Sequence, residues 1–179
     1  NIKVMEINKI ENSIKDLVNI FFDAGRVSIE LRNKGLIKHI KKDKTPVTNG
    51  DIEVNNIILK SLKKITPDIP IVSEETAENK HSDLDTFWLV DPIDGTYDYL
   101  NNKDEFTINA GLIINKQAIA GIIYAPAKNR MFYTCGDNLS FELKNNTPFL
   151  LNNKNIDKNN IKAVSYSDHL KQEIIKIHK

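Results

Sequence analysis

The order in which the apolar periodicity changes along the chain is the strongest constraint on its fold. Over residues 6–31, Ile7, Ile10, Ile14, Leu17, Val18, Phe21, Phe22 and Ala24 recur at helical spacing, which predicts an amphipathic helix with one apolar face. A second helical pattern, Ile52, Val54, Ile57, Ile58, Leu59, Leu62 and Ile65, follows Thr48. Thr48 with Asp51 at the third helical position is a variant of the capping box, and Thr66-Pro67-Asp68 is a stop signal. Beyond it the period falls to two. Strands are predicted at Ile69–Val72 and at Phe87–Val90, the latter ending at Asp91. Phe106–Ile114 and Ala118–Tyr124 read as a hairpin across Asn115-Lys116-Gln117. Short strands are expected at Met131–Thr134, Ser140–Leu143 and Phe149–Leu151. Helices first and mostly adjacent strands afterwards is a segregated α+β order, not an alternating βαβ one.

Two stretches fall outside these patterns. Residues 34–47 are basic, end in Thr-Pro-Val, and read as a short strand or loop before the second helix. Residues 144–160 are polar and asparagine-rich, a surface loop. A boundary is expected near residue 160. Residues 1–160 then form one α+β unit, and 161–179 begin another, with a strand at Ala163–Ser165 and a helix at Asp168–Ile177.

Composition excludes several function classes. Lysine plus arginine number 25 against 24 acidic residues, so the basic excess of a nucleic-acid or anionic-membrane binder is absent. The single cysteine, Cys135, permits no internal disulfide; it reads as a small half-buried residue near a turn and fits a reducing compartment. No apolar run approaches a membrane span, and the first residues are broken by charge, unlike a signal peptide. The expected location is the cytoplasm, or the periphery of the inner membrane if the source is bacterial. The histidines, His39, His81, His169 and His178, lack metal-ligand spacing, and no Gly-x-Ser-x-Gly or Walker loop is present. The remaining nucleophile for an enzyme of this composition is water activated by a metal.

Carboxylates that could support such chemistry lie at element ends: Asp51 in a helix first turn, Glu74 and Glu75 after one strand, Asp91 and Asp94 after another. Asp51 taken alone reads as a helix cap rather than as a ligand. The run Asp91-Pro92-Ile93-Asp94-Gly95-Thr96 is more specific. Pro92 fixes its own φ and holds the turn so that Asp91, the Ile93 carbonyl and Asp94 face one pocket. Hard oxygen donors of this kind suit Mg²⁺. Gly95 allows close backbone approach, and Thr96 opens a short helical stretch whose free N–H groups suit a phosphate. The bland reading is an Asx-type turn capping that helix.

Taken in order, Asp51, then Ser73-Glu74-Glu75, then Asp91-Pro92-Ile93-Asp94-Gly95-Thr96 resembles the signature of the lithium-sensitive, magnesium-dependent phosphatases of the inositol monophosphatase superfamily. Within it, Lys42–Thr48, Ser61–Glu75, Glu105–Asn109 and Gly121–Pro126 are similar to the bacterial CysQ-type branch, the 3′(2′),5′-bisphosphate nucleotidases. The resemblance implies layered helices and a mostly antiparallel sheet of the inositol monophosphatase/fructose-1,6-bisphosphatase type. It implies hydrolysis of the 3′-phosphate of 3′-phosphoadenosine 5′-phosphate, giving AMP and phosphate, with inositol or sugar phosphates as the alternative substrates. Two or more Mg²⁺ ions would be held by Glu74, Asp91, the Ile93 carbonyl and Asp94, and Li⁺ would inhibit. Asp51 and Thr96 would orient and deprotonate the attacking water, with Glu75 supporting them. Glu74, Asp94, Gly95, Thr96 and Tyr97 would contact the nucleotide bisphosphate. Tyr97 stands where this branch usually has lysine. Ser165, Ser167, Asp168 and His169 resemble a region that approaches the nucleotide. The family also carries a later Trp-Asp motif whose aspartate completes the metal site. Here the only tryptophan, Trp88, precedes Leu89, so the second domain is expected to be truncated. An incomplete, inactive metal- or phosphate-binding fragment is therefore the other expectation.

Overall fold

The computed structural model describes residues 7–42, 44–76, 83–136 and 139–151. The expected second unit at 161–179, with Ser165, Ser167, Asp168 and His169, lies outside them. Helix α1 spans Ile7–Lys34 and α2 spans Asn49–Ile65, the two long helices expected from the periodicity. Between them, Lys38–Ile40 (β1) and Pro46–Thr48 (β2) pair antiparallel as a small separate hairpin. The remaining strands are β3 Ile71–Ser73, β4 Phe87–Asp94, β5 Thr107–Ile114, β6 Gln117–Ala125, β7 Arg130–Cys135, β8 Ser140–Lys144 and β9 Thr147–Leu150. A short helix, α3, spans Thr96–Leu100 between β4 and β5. The seven strands β3 to β9 form one sheet in chain order, parallel at β3–β4 and antiparallel elsewhere.

Alternation along the strands decides which face is covered. Ile108, Ala110 and Leu112 of β5 are buried, as are Trp88 and Val90 of β4 and Ile122 of β6. They meet Ile10, Ile14, Leu17 and Phe21 of α1 and Val54, Ile58 and Leu62 of α2 in one core. The helical residues recur at intervals of three and four, so each helix buries one stripe on the sheet. The indole of Trp88 donates to Thr66 Oγ1 at the C-cap of α2 (2.9 Å), which fixes that helix end over β4. Leu89 and Ile123 point to the other face and are about half exposed. Among the described residues no helix is long and apolar enough to cross a membrane.

Turn chemistry sets the registers. Asn115 and Lys116 both take positive φ, 52° and 64°, which gives the β5–β6 hairpin a two-residue turn matched to strand twist. Gln117 therefore belongs to β6, not to the turn. One boundary differs more substantially. The strand expected to end at Asp91 runs on to Asp94 as β4, with a register shift between Asp91 and Asp94. Asp91 pairs with Asn109 but Asp94 pairs with Thr107, so β4 carries one extra residue there. That bulge follows from Pro92, which has no N–H to give the ladder. Cys135 closes β7 and is buried rather than half-buried.

Candidate active site

Register brings Glu74 to Asp91. Because β3 and β4 are parallel with Ser73 opposite Val90, the next residues, Glu74 and Asp91, emerge side by side; Glu74 N–H donates to the Val90 carbonyl at 3.1 Å. The bulge then turns Asp94 outward, where it is exposed and accepts from Asn109 Nδ2 at 3.5 Å. Burial, then the charges of Glu74 and Asp94, push the Asp91 carboxyl up to about 7. Among the described residues, Asp91 Oδ1 and Asn109 Oδ1 on the paired strand are buried without a hydrogen-bond partner. A half-buried carboxylate among like charges with an unsatisfied oxygen is costly unless a cation or proton neutralises it.

A cation from the protein already sits at the neighbouring acids. Lys41 Nζ lies 3.1 Å from Glu74 Oε1 and 2.8 Å from Glu75 Oε1. Burial works against its charge, but the bonds to Glu75 and Glu74 outweigh burial and hold its pKa above the ordinary value. Burial in turn raises Glu75, opposed by Lys41. Lys41 occupies the β1–β2 turn, closed by Lys41 N–H to the Thr45 carbonyl at 2.8 Å. Sequence reasoning missed it, because nothing local in a basic run ties one lysine to acids 33 and 34 positions away. Among the described residues, no three His, Cys, Asp or Glu side chains converge closely enough to hold a cation as they stand. The donor set nonetheless fits a hard divalent ion. The orphaned Asp91 oxygen, the adjacent Glu74 and the ammonium drawn to that acid all mark a place where positive charge is favourable.

Asp51 is placed differently. Thr48 caps α2, accepting from Gly50 and Asp51 N–H at 3.1 and 3.3 Å, while Thr48 N–H donates to Asp51 Oδ2 at 2.8 Å. The capping box is thus formed as the sequence predicts. The second oxygen, Oδ1, faces Thr96 Oγ1 at 3.3 Å. Thr96 Oγ1 also lies 3.1 Å from the Ile93 carbonyl, so its single proton is shared between two acceptors. Burial raises the Asp51 pKa against the opposing bonds from Thr48 and Thr96. A carboxylate of raised basicity next to a hydroxyl is a proton acceptor in waiting.

Gly95 joins these groups. Its φ is 92°, and a Cβ there would stand 2.8 Å from the Glu105 carbonyl; both facts require glycine. The turn delivers Thr96 to the first position of α3, where the backbone N–H has no partner within the helix. Tyr97 is exposed, with Lys103 Nζ 6.0 Å from its ring centre. The structure therefore brings Asp51, Ile93 and Thr96 into contact and sets Glu74, Asp91 and Asp94 along one edge, while Tyr97 stands to the solvent side.

Comparisons with known proteins place the chain in a family. A model of the inositol monophosphatase family matches residues 12–178. A 3′(2′),5′-bisphosphate nucleotidase CysQ of Buchnera aphidicola is 38% identical over 137 residues, covering 74% of this chain and 52% of that protein. The CysQ of Salmonella typhimurium is 41% identical over 95 residues, covering 52% of this chain and 39% of its own length. The Thermotoga maritima IMPase structure superposes with a TM-score of 0.65 at 25% identity, covering 73% of this chain and 51% of that one. The chain spans about half the length of the curated relatives it matches.

Proposed function

The chain belongs to the inositol monophosphatase family, and from that premise we propose that it is a Mg²⁺-dependent phosphatase acting on the 3′-phosphate of 3′-phosphoadenosine 5′-phosphate to give AMP and phosphate. The observation that carries this reading is the pairing of two unlike carboxylates across one turn. Asp91 presents an unsatisfied oxygen beside Glu74, and Asp51 accepts from the Thr96 hydroxyl.

The roles are those that the family resemblance implies, and the contacts described above are compatible with them. Glu74, Asp91, the Ile93 carbonyl and Asp94 are the groups that would hold Mg²⁺, two or more ions in this reading, with Li⁺ an inhibitor. When bound, the metal supplies neutralisation of phosphoryl charge. The Gly95–Thr96 turn binds the phosphate through backbone N–H groups. Thr96 Oγ1 accepts a proton from the attacking water and passes its own to Asp51 Oδ1. Water oxygen forms the new bond to phosphorus as the bond to the 3′-oxygen breaks; the leaving oxygen takes its proton from solvent water, and Asp51 returns the proton it received to solvent. Glu75, held by Lys41, keeps the hairpin tip against the site. The choice of a nucleotide bisphosphate over inositol phosphates rests on the 38% identity to the Buchnera CysQ. Tyr97, exposed at the rim, offers a ring face to the base.

Phosphate release from adenosine 3′,5′-bisphosphate and from inositol 1-phosphate, with Mg²⁺ and with EDTA, tests the proposal. Mg²⁺-dependent release favouring the bisphosphate is expected. Preference for inositol 1-phosphate would overturn the substrate, and Mg²⁺ binding without release from either would assign this chain a binding role only.

A further inference from the structure

Gly50 precedes Asp51, and Tyr99 lies one helical turn beyond Thr96, so the packing of Gly50 against Tyr99 is next to the Asp51–Thr96 contact in both helices. Gly50 lies in α2 and its φ is not in the left-handed region; conformation does not call for glycine there. Space does. A Cβ at Gly50 would collide with the Tyr99 hydroxyl and lie 2.7 Å from Cε1 and 2.9 Å from Cζ. These are rigid ring atoms, and the ring has no room to retreat. Tyr99 is fully buried, its hydroxyl donates to the Ser28 carbonyl of α1 at 2.6 Å, and its ring meets that of Phe106 at 4.7 Å. Arg32 of α1 closes the back of this cluster. Its guanidinium lies 5.3 Å from the Phe106 ring centre and donates to the Lys103 carbonyl at 2.6 Å and to Asp104 at 3.1 Å. Phe106 and Glu105 in turn back the Gly95 turn.

We infer that Gly50 and Tyr99 form a steric gauge that sets the distance between Asp51 and Thr96. The Tyr99 ring is anchored to α1 by its hydroxyl and to α3 by its backbone. α2 can approach α3 only as far as a residue without a Cβ permits, and at that approach Asp51 Oδ1 stands 3.3 Å from Thr96 Oγ1. The gap already exceeds the usual O–H···O range of about 2.5–3.0 Å, so displacing α2 by the width of a methyl group abolishes the contact. Gly50 and Tyr99 are positioning residues: both act through the Asp51–Thr96 pair. Their importance to turnover rests on the proton-accepting role proposed above, whereas the gauge itself is a packing statement.

The test separates the two. Alanine is favoured over glycine within a helix, so Gly50→Ala should raise stability wherever space allows it. In the unchanged protein it is expected to lower the urea midpoint. In the Tyr99→Leu background, which removes Oη, Cε1 and Cζ together, it is expected to raise it. The same sign in both backgrounds overturns the gauge, including the case in which Gly50→Ala alone does not fold and the double variant does no better. Where Gly50→Ala folds, turnover of adenosine 3′,5′-bisphosphate should fall by about 100-fold, the cost of a displacement of about an ångström in a reacting pair, with KM within about twofold. A sign reversal with unchanged turnover refutes the positioning role while leaving the packing intact. An unmutated chain without phosphatase activity refutes the proposed function, and the urea comparison still decides the gauge.

Discussion

Asp51 and Asp91 are the same residue type on neighbouring elements, and the fold treats them in opposite ways. Asp51 is 1% exposed, yet its oxygens face Thr48 N–H, the Thr48 hydroxyl and Thr96. Asp91 is less buried, yet among the described residues one of its oxygens has no partner, and the charges that act on it are those of other carboxylates. The first site is complete within the polypeptide, because a helix start supplies donors to any acid at its third position. The second is complete only with a proton or an added cation. Lys41 is the polypeptide's partial answer: it reaches Glu74 and Glu75 and leaves Asp91 Oδ1 without a partner.

Substitutions should break this comparison in different directions. The largest effect is expected at the cation side. Asp94→Asn or Asp91→Asn should lower phosphate release by about 10²–10³-fold or more, the usual loss when a group serving transition-state charge is removed, with circular dichroism unchanged. Full activity in either variant would contradict the assigned chemistry. Asp51→Asn should reduce turnover by about 10²–10⁴-fold, the range of general acid–base assistance. Asp51→Ala, which removes both acceptor oxygens, also loses the reciprocal half of the capping box, so a stability loss of about 0.5–2 kcal/mol is expected for it. Asp91→Asn should do the reverse and stabilise the metal-free protein at neutral pH, because it removes a carboxylate crowded by like charge. Denaturant melts of the two variants side by side read this opposition of sign directly.

The pH dependence sharpens it. The folded-state pKa of Asp91 is raised to about 7 from 3.8, so between those values the native state holds a proton that the unfolded chain has released. Stability of the metal-free protein should therefore fall as pH rises through that window. Asp91→Asn should flatten the slope. The smallest effect on function is expected for Lys41→Met. Lys41 keeps 21%, Glu74 50% and Glu75 9% side-chain exposure, so the bond to Glu74 is worth about 1 kcal/mol or less, while leaving the mostly buried Glu75 side chain without its cation costs about 1–3 kcal/mol. Its loss should lower metal-free stability by about 1–3 kcal/mol and tighten divalent binding by about fivefold or less, measured by calorimetry.

What the sequence made legible divides along the same line. Local devices were readable: the Thr48 capping box, the apolar stripes of α1 and α2, and the β5–β6 hairpin, though with Gln117 assigned to its turn, all depend on residues close in the chain. The candidate acids were readable too, since residue order alone carried the family resemblance. Contacts across the chain were not. Lys41 reaches Glu74 and Glu75 through a hairpin that a basic stretch does not announce. The continuation of β4 past Pro92 depends on β5 pairing with Asp94 beyond the bulge. Gly50 looks like an ordinary weak point in a helix until Tyr99 is seen against it.

The central claim is that Asp91 is a carboxylate waiting for a divalent cation. Calorimetric titration of Mg²⁺ into the protein at pH 6 and at pH 8, beside Asp91→Asn, tests it most directly. Because Asp91 must lose a proton near pH 7 before it can act as a ligand, saturable binding should be tighter at pH 8, with proton release at pH 6. Both features should vanish in Asp91→Asn. No saturable binding, or binding that is independent of pH and survives Asp91→Asn, would contradict the account.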